Sequence, residues 1–521
     1  MFSNFVRDRP GLVILLLAAL STVPLLSPSI PPLNDVFGHI GRYRVQLDLA
    51  DDPVLQRYYG FEWALIGNLG VDLLVQVIAP LIGLEPAVKF IVIAIVALTT
   101  AGFLLLSYQV HGRIGAAGLF ALPLAYCFPF QFGFVNYCLS MALAFLAFTL
   151  WIKLGEQERV RLRAILFIPI SVLIWLAHIG GWGALGLFAF AAEAVRLRQK
   201  NNSVIMSIIK GGLQCLVMAL PVFLTIAVRT NGADGGTVDW FNWAAKYKWL
   251  LMTLNDRWQA FDLISLFLLL LIIGSAVILR SVRFSATLGF AALLLLVAFI
   301  ITPRILIGSA YADMRLIPYA IALGLLAIDT RPNFAMLRRW LLIGGFGFFM
   351  ARTAATIVSF YQYDHMLKRE FAAIEAIPYG ARVVSLINPI CCNVWMLDRR
   401  WHIPSVAVAR KRIFSNDHFV MAGAQLLQIR YTEARPFDRD PTQLIKPSAS
   451  KRTDWRSFSE AITALPRSAF DYVWVIGKAE DKNVDYSGLT PVWQQENSII
   501  YRIDPPAETA KNANSPKQKG Y

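Results

Sequence analysis

Chemistry in this sequence gathers in one short stretch, Pro31-Pro32-Leu33-Asn34-Asp35-Val36-Phe37-Gly38-His39-Ile40-Gly41-Arg42-Tyr43-Arg44. Read as a helix capped by Asn34, it sets Asp35, His39, Arg42 and Gln46 on one face, at i, i+4, i+7 and i+11. A carboxylate, an imidazole and a guanidinium then look the same way, directly after an apolar run. Ionisable groups at the rim of a bilayer are expensive to hold and mark a functional site by default. The plainer reading is a juxtamembrane helix whose charges meet headgroups, with Asp35 as a second cap. The stretch alone does not separate the two.

A few other polar residues fall at the ends of apolar runs. His178 lies within Trp175-Leu-Ala-His-Ile-Gly-Gly-Trp182, where a lone His beside glycines is usually a turn residue. Arg304 follows Pro303, and Asp313 and Arg315 precede the next apolar run; an Asp-x-Arg pair is most often a local ion pair. Asn136 and Tyr137 open another run, where capping is the default. Each signal is weak by itself, but all of them fall on the same side of the predicted membrane. Arg and His can bind the phosphate of a lipid carrier, since a fork of donors matches phosphate oxygens and neutralises a leaving group. A carboxylate can take the proton from an attacking hydroxyl. No Gly-rich phosphate loop is present, nor is one needed if the donor arrives through the membrane.

The elements that must position these groups are membrane helices. Of the 521 residues 56% are hydrophobic and 16% charged, whereas a soluble domain has about a quarter charged. The formal charge of +15 lies mainly in short loops between apolar runs, so it sets orientation and does not form a nucleic-acid face. The five cysteines are too few for a disulfide framework; Cys127, Cys138 and Cys215 read as small core residues, and the adjacent Cys391 and Cys392 suit neither a zinc nor a CxxC site. No metal-ligand set is assigned. Runs at 11–30, 87–108, 115–130, 134–153, 164–178, 180–196, 205–228, 260–279, 285–302, 315–329 and 340–360 predict about eleven transmembrane helices, the first a retained signal anchor. Arg7, Arg9, Arg113, Arg159, Arg161, Arg163, Arg196, Arg198, Lys200, Arg280, Arg283, Arg331, Arg338 and Arg339 all fall on one side. That side is the cytoplasm, which sends the Asp35 loop and the C-terminal region outward.

The outward segments are long. Residues 31–86 predict helices at 35–48, 53–59 and 62–82, the last with a polar stripe of Asn68, Asp72 and Gln76. A second loop, 229–258, carries Trp240, Trp243, Lys246, Tyr247, Lys248 and Trp249 and suits the bilayer interface; 303–313 forms a third. From about residue 370 the composition turns to that of a soluble α/β domain, extending to 505 and followed by a tail, 506–521, that predicts disorder. Strands are predicted at 381–387 and 471–476, a helix at about 455–465, and a hairpin over 492–503 turning at Glu496-Asn497. Residues 405–455 read as polar and irregular.

An acidic residue just after the first membrane helix, amphipathic helices in the first outer loop, about eleven crossings and an outward α/β domain together resemble the glycosyltransferase C superfamily. The likeness spans the chain, with Asn34-Asp35…His39…Arg42 its most specific part. It implies a multi-pass protein of the bacterial inner membrane, N-terminus cytoplasmic and C-terminal domain periplasmic. Its partners are membrane lipids, a polyprenyl-phosphate-linked sugar as donor and a glycan, lipid or protein acceptor. Transfer is inverting, with Asp35 matching the catalytic acid of the first loop and His39, Arg42, His178, Arg304, Asp313 and Arg315 around donor and acceptor. A second acid is common in such loops, for which Asp48, Asp51 and Asp52 are candidates, and a divalent metal is left open. No WWDYG-like signature of the oligosaccharyltransferases is present. Two other classes stay open: a transporter or flippase of lipid-linked sugars, which calls for discontinuous helices in symmetric halves, and a non-catalytic envelope assembly protein.

Overall fold

The computed structural model describes residues 9–227, 236–306, 309–388, 395–418, 420–421, 424–438, 440–446, 456–477, 481 and 484–505. Arg7, most of the turn that opens the second loop, Cys391, Cys392 and the tail 506–521 lie outside the described residues.

Most of the apolar runs become helix. Among the described residues five helices are long and apolar enough to cross a membrane: Leu84–His111, Val135–Glu156, Val160–Ala177, Gln259–Ile278 and the helix that starts at Ala335. A sixth span is made if Val204–Met218 and Leu220–Ala227, bent by 55° at their junction, count as one. The chain is a multi-pass membrane protein. Other apolar runs form shorter helices, among them Ala286–Ile301 and Ile317–Leu326. Pro123 and Pro129 divide the 115–130 run into a 3-10 segment, Ala117–Tyr126, and a short helix, Phe128–Phe132.

The segment after the first helix folds largely as predicted, with two differences. Helices form over Asn34–Asp48, Pro53–Tyr58 and Gly70–Ile82. The third starts later than residue 62, because Asn68 turns away to donate to the Ala424 carbonyl (2.9 Å) and Leu69 N–H to the Leu176 carbonyl (2.8 Å). Asn34 does not cap the first: the helix begins at Asn34, the preceding Leu33 takes the cap position, and the Asn34 amide is buried with no partner among the described residues. Asp52 does cap the second, accepting from Val54 and Leu55 N–H at 2.9 and 3.2 Å.

Beyond the helix Ala335–Phe371 the chain builds a five-stranded mixed sheet. Its order is Leu489–Gln495, Ser498–Ile503, Tyr472–Ile476, Arg382–Ile387 and Phe414–Ser415. Arg382–Ile387 runs parallel to both of its neighbours, Val383 opposite Tyr472 and Ile387 opposite Ile476. The hairpin turns at Glu496-Asn497, with Glu496 in the left-handed region at φ 49°. Phe458–Thr463 is a short helix closed by a Ser457/Glu460 capping box.

This sheet region is locked onto the 31–86 segment. Tyr59–Phe61 pairs antiparallel with Leu427–Ile429. Arg412 reaches Asp48 at 2.6 Å and Asp52 at 2.9 Å, and Arg410 reaches Glu85 at 2.8 Å. The helix Ile403–Lys411 lies directly on Asn34–Asp48 at Gly41, where a Cβ would stand 2.6 Å from the Ser405 carbonyl oxygen. Only glycine permits that approach.

Candidate active site

Asp35 sits in the first turn of Asn34–Asp48, and its side chain caps nothing. Gly133, at φ 99°, presses its backbone against Asp35; a Cβ there would come 2.7 Å from the Asp35 nitrogen. The carboxylate is thus aimed away from its own helix, into a cavity of about 890 Å³. Asp35 and His39 form one wall of the cavity, Tyr137, His178 and Arg315 another, and Trp401, His402, His418, Asp438 and Asp440 of the C-terminal region a third. Burial pushes the Asp35 pKa up to about 7 against the pull of His402 and Arg315, while Asp440 and Asp417 add to the rise. His39 is driven well below the usual imidazole range, first by burial and then by Arg42 and His402, so it faces the cavity neutral.

Arg315 follows a small hairpin, Ile305–Leu306 against Ser309–Ala310, and precedes the helix Ile317–Leu326. Its guanidinium is fixed from several sides. Nη2 donates to Ser309 Oγ at 3.3 Å and to the Ala310 carbonyl at 3.1 Å, and the plane lies 4.1 Å from the Phe134 ring centre. Tyr137 donates its hydroxyl to the Arg315 carbonyl at 2.8 Å. Arg315 Nε is buried with no partner among the described residues.

His178 ends Val160–Ala177 in extended conformation and caps Ile179–Gln199, its Nδ1 accepting from Gly180 N–H at 2.9 Å. Its Nε2 lies 3.1 Å from Arg315 Nη1. A neutral imidazole has one N–H, so accepting at Nδ1 leaves Nε2 a donor. Arg315 and His178 therefore present two N–H groups side by side. An oxyanion accepting from both would satisfy them.

The remaining residues of the sequence-based set are engaged elsewhere. Arg42 is paired with Asp72 in a buried contact, and its other amino group lies 3.4 Å from His39 Nδ1. Gln46 bonds the Asp72 carbonyl and Gln76 at 3.0 and 3.1 Å. Asp72 and Gln76 of the predicted stripe thus face the Asn34–Asp48 helix with Arg42 as their anchor, while Asn68 lies outside that contact. Asn136 completes that anchor, donating to Asp72 at 3.1 Å. Arg304 is held by Asp239 at 2.5 Å, and Asp313 by Lys246 at 3.2 Å, neither lining the cavity. Asp48 and Asp52 are taken by Arg412, and Asp51 is exposed in the turn between them. Among the described residues, no cluster of three or more His, Cys, Asp or Glu side chains could hold a metal ion.

The sequence reading missed the third wall. His402 Nδ1 lies 2.6 Å from Asp417 Oδ1 and its Nε2 3.8 Å from Asp35 Oδ1. The only local signal is Trp401-His402 directly before a proline-started helix.

No family profile matches the sequence, and no curated protein matches it. The fold does have a solved counterpart. The crystal structure of ArnT from Cupriavidus metallidurans, bound to undecaprenyl phosphate, is similar over 96% of this chain and 100% of that one. The TM-score is 0.50 and the identity 11%. At that identity the likeness is one of fold.

Proposed function

We propose that this chain is an integral membrane glycosyltransferase of the glycosyltransferase C type. It transfers a sugar from a polyprenyl-phosphate carrier to an envelope acceptor at the outer leaflet, with inversion at the anomeric carbon. The proposal takes about eleven crossings, the shorter apolar helices included, and an outward-facing cavity. The observation that carries it is the meeting, in one cavity, of a buried carboxylate with a pKa of about 7 and a doubled N–H donor pair. The carrier phosphate accepts from Arg315 and His178, with the free Arg315 Nε as a further donor. The apolar surface of Phe132, Phe134 and Tyr311 lines the same space. Asp35 takes the proton of the acceptor hydroxyl while its oxygen bonds to the anomeric carbon. The bond from that carbon to the phosphate oxygen breaks, and the charge left on the phosphate falls on the donor pair. The likeness in fold to a structure that holds undecaprenyl phosphate supports a donor of this class.

The test is Asp35→Asn. It keeps shape and removes proton acceptance, so the variant is expected to insert and bind carrier while transfer falls by roughly 10²–10⁴-fold. Near-normal transfer by Asp35→Asn in membranes with normal protein level would sink the assignment.

A further inference from the structure

The mechanism above leaves His402 and Asp417 without a task, yet both are buried within reach of Asp35. His402 stands just ahead of Ile403–Lys411, the helix seated on Gly41. Asp417 is fixed on every side: Oδ1 meets His402 Nδ1 at 2.6 Å and Oδ2 accepts from Ser405 N–H at 3.0 Å. Its own N–H donates to Ser415 Oγ at 3.1 Å. Its side chain is fully buried, and a carboxylate so placed persists only beside a compensating charge. The group that compensates it is the His402 ring. A ring protonated at both nitrogens turns one N–H to Asp417 and the other toward Asp35, 3.8 Å away.

We propose that His402, held as an imidazolium by Asp417, is a positioning residue that keeps the Asp35 carboxylate ionised and directed into the cavity. Its meaning for transfer rests on the reading of Asp35 as the base; the coupling of the two groups does not. Of the other titratable groups around this pair, Asp438 is matched by Arg435 at 3.7 Å, and burial holds His418 below the usual imidazole range against the pull of Asp417, Asp438 and Asp440. Arg315 faces Asp35 from the loop before Ile317–Leu326, but its guanidinium is held by the Ser309–Ala310 turn and, on the reading above, is taken by the carrier phosphate. Asp440 and Asp417 oppose ionisation of Asp35, and His39, on the same helix, is neutral. His402 is the strongest attraction that Asp35 feels. Burial works against a charge on His402, but Asp417, then Asp440 and Asp35, outweigh it and hold its pKa up at about 9.

Protonated carboxyls in sheltered sites react with dicyclohexylcarbodiimide and ionised ones do not, so the pH dependence of labelling at Asp35, read by peptide mass spectrometry, reports its ionisation without any transfer assay. Wild-type full-length protein in detergent is expected to lose labelling around pH 7. His402→Gln removes the cation, which should move that midpoint upward by about one pH unit or more. His402→Arg keeps a cation and should leave it near the wild-type value. The acid limb of the transfer–pH profile should move with the labelling midpoint. In wild-type protein labelled with ¹⁵N-histidine, the His402 resonance should show both ring nitrogens protonated at pH 7. An unmoved labelling midpoint in folded His402→Gln, or a neutral His402 ring at pH 7 in the wild type, overturns the inference. A midpoint that moves as expected, in a protein with no transfer at any pH, upholds the coupling and removes the transferase reading instead.

Discussion

At the scale of single residues, what matters is which ionisable groups are free to act. Asp35 could have been a helix cap, and a cap is indifferent to exchange for Asn. In the fold it caps nothing and shares a cavity with His39, His178 and Arg315. Asp35, His178 and Arg315 are legible because each stands at the end of an apolar run, where a charge has no cheap explanation, and His39 because it shares the helical face of Asp35. Arg42 was read from the same helical face but acts elsewhere. It lies seven residues on, which is about 10 Å along the axis, and there Asp72 is waiting. His402 and Asp417 were invisible, since they lie in a stretch with no periodicity and their pairing exists only after the chain has folded back. Arg315 gives the next prediction. Arg315→Ala should weaken carrier binding by an order of magnitude or more. Arg315→Lys should recover only part of it, because an ammonium cannot reach phosphate, Ser309 and the Ala310 carbonyl together. Binding of a fluorescent polyprenyl phosphate to purified variants measures this, and Ala binding as tightly as wild type would remove Arg315 from the site.

At the scale of elements, the site depends on one crossing, Asn34–Asp48 against Ile403–Lys411. The sequence foretold the first helix and left the second inside an irregular region, because nine residues with an early proline give little periodic signal. What sets their distance is Gly41. Gly41→Ala places a methyl where the Ser405 carbonyl stands, a backbone atom that cannot swing aside. The helices must part, drawing His402 from Asp35. Overpacking of this kind costs about 1–3 kcal/mol. A lower melting midpoint is expected together with a loss of transfer larger than the loss of folded protein. Gly183→Ala, with nothing within 4 Å, is the matched control and should change neither. Equal behaviour of the two variants would show that the crossing has slack.

At the scale of the whole molecule, the helical membrane body and the mixed sheet were both legible, one from composition and the other from the short apolar runs of buried strands at 381–387 and 471–476. Their intimacy was not, because contacts between distant segments leave no trace in local pattern. The one-sided basic loops give a last prediction: a reporter fused after Arg198 should read as cytoplasmic and one fused after residue 370 as extracytoplasmic. A cytoplasmic signal from the second fusion would invert the assignment and remove the outer-leaflet site with it. The lock between the two parts also sets a clock. Tyr59 and Ser415, whose hydroxyl and N–H meet at 2.9 Å, are 356 positions apart. At ~5–20 residues per second of synthesis, the early segment waits roughly 20–70 s for its partner. Through nearly all of that interval Asp35 has been made and His402 has not. On the transferase reading a nascent chain is therefore inert, and the cavity gains its third wall only when the last third of the polypeptide has folded back onto the first.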